Sequence, residues 1–260
     1  MTIGTAVLML HHVEPFPLDP PPLHPNSYLD LYDFAILLDD LAARRWRTVT
    51  LAEAAERARS GRRLPRRTVV LTFDDGCRCF RDHAFPELAA RGMTATLFAV
   101  SGALGGTNGW DTADGERRED LLGAADLLAL AAAGIEIGSH SRHHRDLSVC
   151  SEEELHEEIE GSKADLEAVL GAPVRTFCYP YGRLTPRAAT VARAAGYLAA
   201  VSIHRHPGTR LGDPWALPRM IVHPGESRFE RRLKAGGLYP LWSRLPRLGL
   251  LKALRKGGTP

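Results

Sequence analysis

Short continuous apolar runs alternate along the chain with longer stretches whose apolar residues recur every three or four positions. The runs at 6–10, 46–51, 68–73, 94–100, 135–138, 174–179 and 198–203 read as buried strands, being short, apolar and rich in β-branched residues. Between them, Phe34, Leu37, Leu38 and Leu41 fall at i, i+3, i+4 and i+7, one apolar stripe within a helix predicted over 28–45. Thr50 with Glu53 and Ser151 with Glu154 are capping-box pairs opening helices over 51–60 and 151–170. Thr185–Pro186 is a cap and first-turn pair for a helix ending at Gly196, and Gly92 and Gly134 end helices over 82–91 and 121–133. The proline-rich 15–25 and the glycine-rich 102–115 read as loops.

Strands separated by helices imply parallel pairing through helical crossovers. About seven of them suggest an α/β barrel or a barrel-like open sheet, in which chemistry sits at the carboxyl ends of the strands. No internal repeat or low-complexity segment interrupts this rhythm.

Composition narrows the picture further. With 260 residues, 44% hydrophobic and 25% charged, the chain has a full core and is neither disordered nor collagen-like. No apolar run approaches the roughly 18 residues of a membrane span, and four cysteines do not make a disulfide scaffold. A net charge of +2 argues against nucleic acid as a partner of the whole chain. The first apolar run lacks a basic lead-in and ends abruptly at His11 and His12, so no export signal is visible and the expected location is cytoplasmic or peripheral to a membrane.

Four polar clusters follow predicted strands: His11-His12, Asp74-Asp75-Gly76, His140-Ser141-Arg142-His143-His144 and Pro180-Tyr181-Gly182. Adjacent carboxylates can reach one site only where a strand ends and the chain turns, and two close carboxylates in a dry pocket call for a cation. The competing reading is an ordinary surface Asp-Asp-Gly turn. His140 and His144, four apart, place both imidazoles on one face of a helical turn. With Asp75 they make a two-histidine, one-carboxylate metal set, leaving Asp74 as a base; His143 fits the spacing less well and reads as a solvent-exposed loop residue.

Thr72-Phe73-Asp74-Asp75-Gly76, then His140-Ser-x-x-His144, then Phe177-x-Tyr-Pro-Tyr-Gly182, in that order, resemble the polysaccharide deacetylases. The resemblance covers about residues 7–233. Leu8-Met9-Leu10-His11-His12-Val13, the stretch from Phe34 to Thr50 and Leu217-Pro218-Arg219 are similar to a subgroup acting on poly-N-acetylglucosamine exopolysaccharides. The resemblance implies a distorted (β/α) barrel over residues 1–235 and a divalent metal, zinc first with cobalt or nickel as alternatives. It implies Asp75, His140 and His144 as ligands and Asp74 as general base. It also implies the Tyr181 backbone N–H as oxyanion donor, with Tyr179, Pro180 and Tyr181 as pocket wall. The partner implied is an N-acetylated glycan.

The family's common Leu-x-x-His near the carboxyl terminus has no clean copy here; His204, His206 and His223 lie in that region without the pattern. In the exopolysaccharide subgroup the equivalent histidine comes from the first strand, which points to His11 as general acid, with His12 second. Many relatives place an arginine where this chain has Cys178, and Arg219 is the candidate to pair with Asp74 instead. Cys77 and Cys79 read as buried thiols.

Residues 236–260 form a basic tail. From Arg228 onward the chain carries nine lysines and arginines against Glu230 alone, interleaved with leucines, either a peripheral membrane contact or a packing tail with a solvated basic face. Pro240, Pro246 and Gly249 spoil a continuous amphipathic helix and favour the packing tail. Two rivals to carbohydrate N-deacetylation remain: an amide hydrolase of the same scaffold acting on a lipid-linked or formylated amino sugar, and a glycan-binding module with a weakened site. Oligomeric state is not legible.

Overall fold

The computed structural model describes residues 5–112, 115–204 and 212–243. In chain order the strands are β1 (Ala6–Leu10), β2 (His12–Glu14), β3 (Tyr28–Asp30), β4 (Arg47–Thr48), β5 (Thr68–Phe73), β6 (Thr96–Ala99), β7 (Glu136–Ser139), β8 (Thr176–Cys178), β9 (Ala199–Ser202), β10 (Leu217–Pro218) and β11 (Met220–Ile221). The helices are α1 (Leu31–Ala43), α2 (Leu51–Arg59), α3 (Phe85–Ala90), α4 (Gly109–Thr112), α5 (Ala124–Ala132), α6 (Glu152–His156), α7 (Ser162–Leu170), α8 (Pro186–Ala194), α9 (Arg228–Ala235) and α10 (Tyr239–Trp242). Wide π-turns at Phe80–Ala84 and Glu157–Gly161 run into α3 and α7.

The main sheet runs β10-β9-β8-β7-β6-β5-β1-β11, every pair parallel. Its two outer strands are the two halves of one segment, residues 217–221, broken only at Arg219. That segment pairs with Val201 and Ser202 on one side and with Leu8 and Met9 on the other. The sheet therefore comes round on itself as a nearly closed, distorted (β/α) barrel.

Crossovers form where the sequence supplies the local signals. Thr50, Ser151 and Thr185 each accept a backbone N–H at a helix start. The 34–41 stripe buries Phe34, Leu37, Leu38 and Leu41 against β1 and β5 side chains such as Leu8, Leu71 and Phe73. A fully buried Leu or Phe in this core contributes about 1.5–3 kcal/mol relative to exposure.

Several expectations are corrected. Residues 28–30 form β3, paired with β2, and the helix begins only after Asp30, whose side chain accepts from the Tyr32 N–H. The strand predicted over 46–51 shrinks to β4, which pairs only with the first residues of β5. The final stave, 217–221, lies beyond the last predicted strand. The glycine-rich loop contains α4. All four cysteines are free and buried, as expected of Cys77 and Cys79. Among the described residues no helix is long and apolar enough to cross a membrane. Residues 244–260, most of the basic tail, lie outside the described residues, as does His206.

Candidate active site

The chemistry-bearing residues sit at the carboxyl ends of five staves. His11 follows β1, Asp74 and Asp75 follow β5, His140 follows β7, Tyr179–Gly182 follow β8, and Arg219 breaks the closing segment. All of these but Pro180 and Arg219 border one cavity of about 370 Å³, lined also by His12, His24, Tyr28, Asp111 and Glu116.

Sharp local turns aim these side chains. Asp75, Ser141, His144 and Tyr181 all hold positive φ, between 56° and 71°, although none is glycine. Such conformations cost free energy and cluster where surrounding structure over-determines them. Gly76 makes the turn after the aspartates with φ +73°, and a Cβ there would press on Ala99 at 3.3 Å. At Gly182 a Cβ would stand 2.5 Å from Ile203, so no side chain fits in that turn.

Asp75, His140 and His144 are all buried and offer ligand atoms within 4.8 Å of one another. Asp75 Oδ1 is 3.3 Å from His140 Nε2 and 3.4 Å from His144 Nε2. His140 Nδ1 lies 2.8 Å from the Cys178 carbonyl oxygen, which can only accept, so the ring proton belongs on Nδ1. In the neutral ring Nε2 then presents a lone pair to a carboxylate oxygen, and two acceptors face each other unless a proton or a cation lies between them. Burial alone would raise the Asp75 carboxyl, but hydrogen bonds from His140 and His144 hold it well below the ordinary range. Burial disfavours a charged His140, yet Cys178 and Asp75 outweigh it and push its pKa well above the usual value. At His144 burial prevails and the pKa falls.

A divalent cation between them would serve all three groups. Nitrogen and oxygen donors in this two-histidine, one-carboxylate set, with Nδ1 of His140 anchored behind, suit zinc or a similar transition ion. The other buried ligand groupings among the described residues each include a cysteine, and burial pushes Cys77 and Cys79 toward the protonated thiol.

Asp74 also borders the cavity and is 3% exposed. Arg219 donates Nη1 to Asp74 Oδ1 at 2.6 Å and Nη2 to Oδ2 at 2.7 Å. The same guanidinium reaches Thr72 Oγ1 at 3.1 Å and Cys178 Sγ at 3.1 Å. Burial works to raise the Asp74 carboxyl; the Arg219 charge and its hydrogen bonds bring it below the ordinary range, so Asp74 is an anion. His11 Nε2 approaches Asp74 Oδ2 at 3.7 Å. His12 also borders the cavity but is buried, stacked on Tyr28 at 4.2 Å, with Nδ1 3.8 Å from Cys79 Sγ. Burial lowers its pKa to about 4, leaving it neutral.

Of the three residues expected as pocket wall, Tyr179 and Tyr181 border the cavity and Pro180 does not. Tyr179 is wholly buried, its ring against Phe177 and its hydroxyl donating to the Trp215 carbonyl at 2.8 Å. Pro180 is buried as well. Of the three, only Tyr181 is exposed, its ring edge-on to His144 at 4.6 Å. Tyr179 follows directly on β8, so its ring packs in the core although the residue borders the cavity. The second aromatic face is Trp110, stacked on His144 at 4.5 Å, which sequence reasoning missed. Its signal was a lone tryptophan in a glycine-rich stretch. His204 is exposed, His223 lies outside the cavity, and His143 is half-exposed and bonded to Glu158.

A family model described as polysaccharide deacetylase matches residues 61–200, more than half of the chain. The chain belongs to the polysaccharide deacetylase family. Members of that family are hydrolases acting on amide bonds of acetylated sugars. The Bacillus subtilis (strain 168) protein YxkH, assigned to the polysaccharide deacetylases, is 26% identical over 182 residues, covering 70% of this chain and 61% of its own. A poly-β-1,6-N-acetyl-D-glucosamine N-deacetylase of Staphylococcus aureus (strain MRSA252) is 23% identical over 195 residues, covering 72% of this chain and 64% of its own. The match thus spans less than two thirds of either curated relative. The Streptococcus pyogenes deacetylase PplD, solved in complex with acetate, superposes with a TM-score of 0.75 at 19% identity, covering 91% of this chain and 99% of that one. That likeness shows a shared fold, the deacetylase barrel.

Proposed function

We propose that this chain is a metal-dependent N-deacetylase that hydrolyses the acetamide of N-acetylhexosamine units in a glycan and releases acetate. The observation that carries the reading is the pairing of two carboxylates with opposite supports. Asp75 is held by two imidazoles, and Asp74 by a bidentate arginine, side by side in one cavity.

Asp75, His140 and His144 would hold the cation, zinc first, with cobalt or nickel as alternatives. When bound, it supplies positive charge toward the acetamide carbonyl and makes a water more acidic. Asp74, kept anionic and fixed in plane by Arg219, takes the proton from the attacking water. His11, beside Asp74, gives a proton to the departing amine. The Tyr181 backbone N–H stabilises the negative oxygen that develops on the carbonyl. Tyr181 and Trp110 offer aromatic faces for a sugar ring. The balance is one amide and one water giving one amine and one acetate.

The name of the Staphylococcus relative supports poly-β-1,6-N-acetylglucosamine as the first polymer to try. The test is metal content together with acetate release from N-acetylglucosamine oligomers, on the wild type and Asp75→Ala. About one equivalent of metal and acetate release, both lost in the variant, are expected. A protein that takes up no metal after reloading would overturn the reading. Metal without acetate would move the search to formylated or lipid-linked amino sugars.

A further inference from the structure

The loop bearing both histidine ligands is gripped from behind by one helical stretch. Ser139 Oγ meets Ser162 Oγ at 2.7 Å, and Arg142 makes bonds of 2.8 and 3.0 Å to Asp165. At the centre of this grip is Glu158, on the π-turn before α7 and 1% exposed. Its Oε2 accepts the backbone N–H groups of Arg142 at 3.1 Å and His143 at 2.8 Å. Its Oε1 meets His143 Nδ1 at 2.7 Å.

Those two N–H groups lie between Ser141 and His144, the two residues of this loop with left-handed backbones, φ +66° and +56°. A non-glycine residue keeps that conformation only when its neighbours are pinned. Ser141 helps from within, its Oγ accepting the His144 N–H at 3.0 Å. From other elements, the Ser101 and Gly102 N–H groups donate to the Ser141 and Arg142 carbonyls at 3.2 and 2.8 Å, and Glu158 is the side chain that accepts the loop's own N–H groups. A buried carboxylate with three donors fixes a peptide plane more firmly than a neutral acceptor does.

We propose that Glu158 is a positioning residue for the cation. Through the Arg142 and His143 peptides it sets the loop so that Nε2 of His140 and of His144 converge on Asp75. The proposal rests on the cation assignment above but not on the substrate. Its test is zinc affinity, measured on the full chain by competition with a chromophoric chelator, at temperatures where each metal-free variant is folded by circular dichroism.

Glu158→Ala is expected to weaken zinc binding about 10–100-fold, the usual effect of losing a group that orients a ligand. Glu158→Gln, whose amide oxygen can still accept both N–H groups, is expected to recover most of that affinity. Glu158→Asp, a carboxylate one methylene short, is expected to stay folded and bind more weakly. Glu136 gives a control at the other end of the barrel: a carboxylate accepting from Thr96, Thr176 and the Ala52 N–H. Glu136→Ala should lower Tm and leave zinc affinity unchanged. Folded Glu158→Ala or Glu158→Asp protein binding zinc as tightly as the wild type would overturn the proposal alone. A wild type that binds no zinc would overturn the cation assignment, and this inference with it.

Discussion

Arg219 and Asp74, 145 positions apart, form a fully buried two-point ion pair at the seam where the barrel closes. One arginine does two jobs. It occupies the break between β10 and β11, and it fixes the orientation of the carboxylate that faces the cavity. Fold closure and site geometry thus share one side chain.

Removing that arginine leaves an uncompensated buried anion, which typically costs about 3–5 kcal/mol. Arg219→Ala is therefore expected to lower stability by that order and acetate release by at least about 100-fold, the scale of a lost general base. Arg219→Lys should rescue little, because an ammonium cannot reproduce the two parallel bonds. Denaturant unfolding and turnover on the same preparations check both.

Both histidines border the cavity, but His11 stands beside Asp74, whereas His12 is buried, stacked on Tyr28 and neutral. His11→Ala is expected to lower kcat by about 10²–10⁴-fold with zinc content unchanged. His12→Ala should act mainly on stability, through the lost contact with Tyr28. Full turnover in His11→Ala would remove it as the proton donor.

Glu119 gives a pH dependence with a definite sign. Burial, then the neighbouring Glu14 charge, raise its carboxyl to about 7, against the partial opposition of Arg117 and Tyr28. An unfolded glutamate titrates near 4.5. Between those values the folded state holds a proton that the unfolded state has lost, so this group makes stability fall as pH rises through the window. The loss is on the order of 2 kcal/mol by pH 8. His12 works the other way below pH 6.5: neutral in the fold and charged when unfolded, it makes stability rise with pH. The clean readout is the difference between wild type and Glu119→Gln, which should grow from small near pH 4 to its full value above pH 7. A difference independent of pH would contradict the raised carboxyl.

Legibility of the sequence followed local redundancy. Residues 68–73 are apolar at nearly every position and buried throughout, so the strand and the aspartates at its end were readable together. The His140–His144 spacing was readable because both ligands lie on one short loop. The closing stave was not: β10 and β11 are two residues each, flanking a buried arginine, and their pairing depends on β1 and β9 far away in sequence. β3 reads as the start of a helix because Tyr28 and Leu29 extend the apolar content of the following stripe, and only pairing with β2 overrides that local preference. Glu158 had no signal at all, being one glutamate among several on an acidic helix.

Tyr179 and Tyr181 both border the cavity, but the first is wholly buried and the second exposed. The Tyr179 hydroxyl donates one buried hydrogen bond, to the Trp215 carbonyl, while its ring fills the core. Tyr179→Phe keeps the ring and orphans that carbonyl, so a stability loss of about 1–2 kcal/mol is expected with kcat/KM for N-acetylglucosamine oligomers unchanged. Tyr181 is 44% exposed beside His144, and truncating it removes an aromatic face without opening the core. Tyr181→Ala is therefore expected to leave Tm nearly unchanged and to raise KM, because a stacking contact present equally in bound substrate and transition state contributes uniform binding. Parallel melts and initial-rate series on the two variants decide the assignment. A KM effect in Tyr179→Phe, or none in Tyr181→Ala, would contradict Tyr181 as the stacking face.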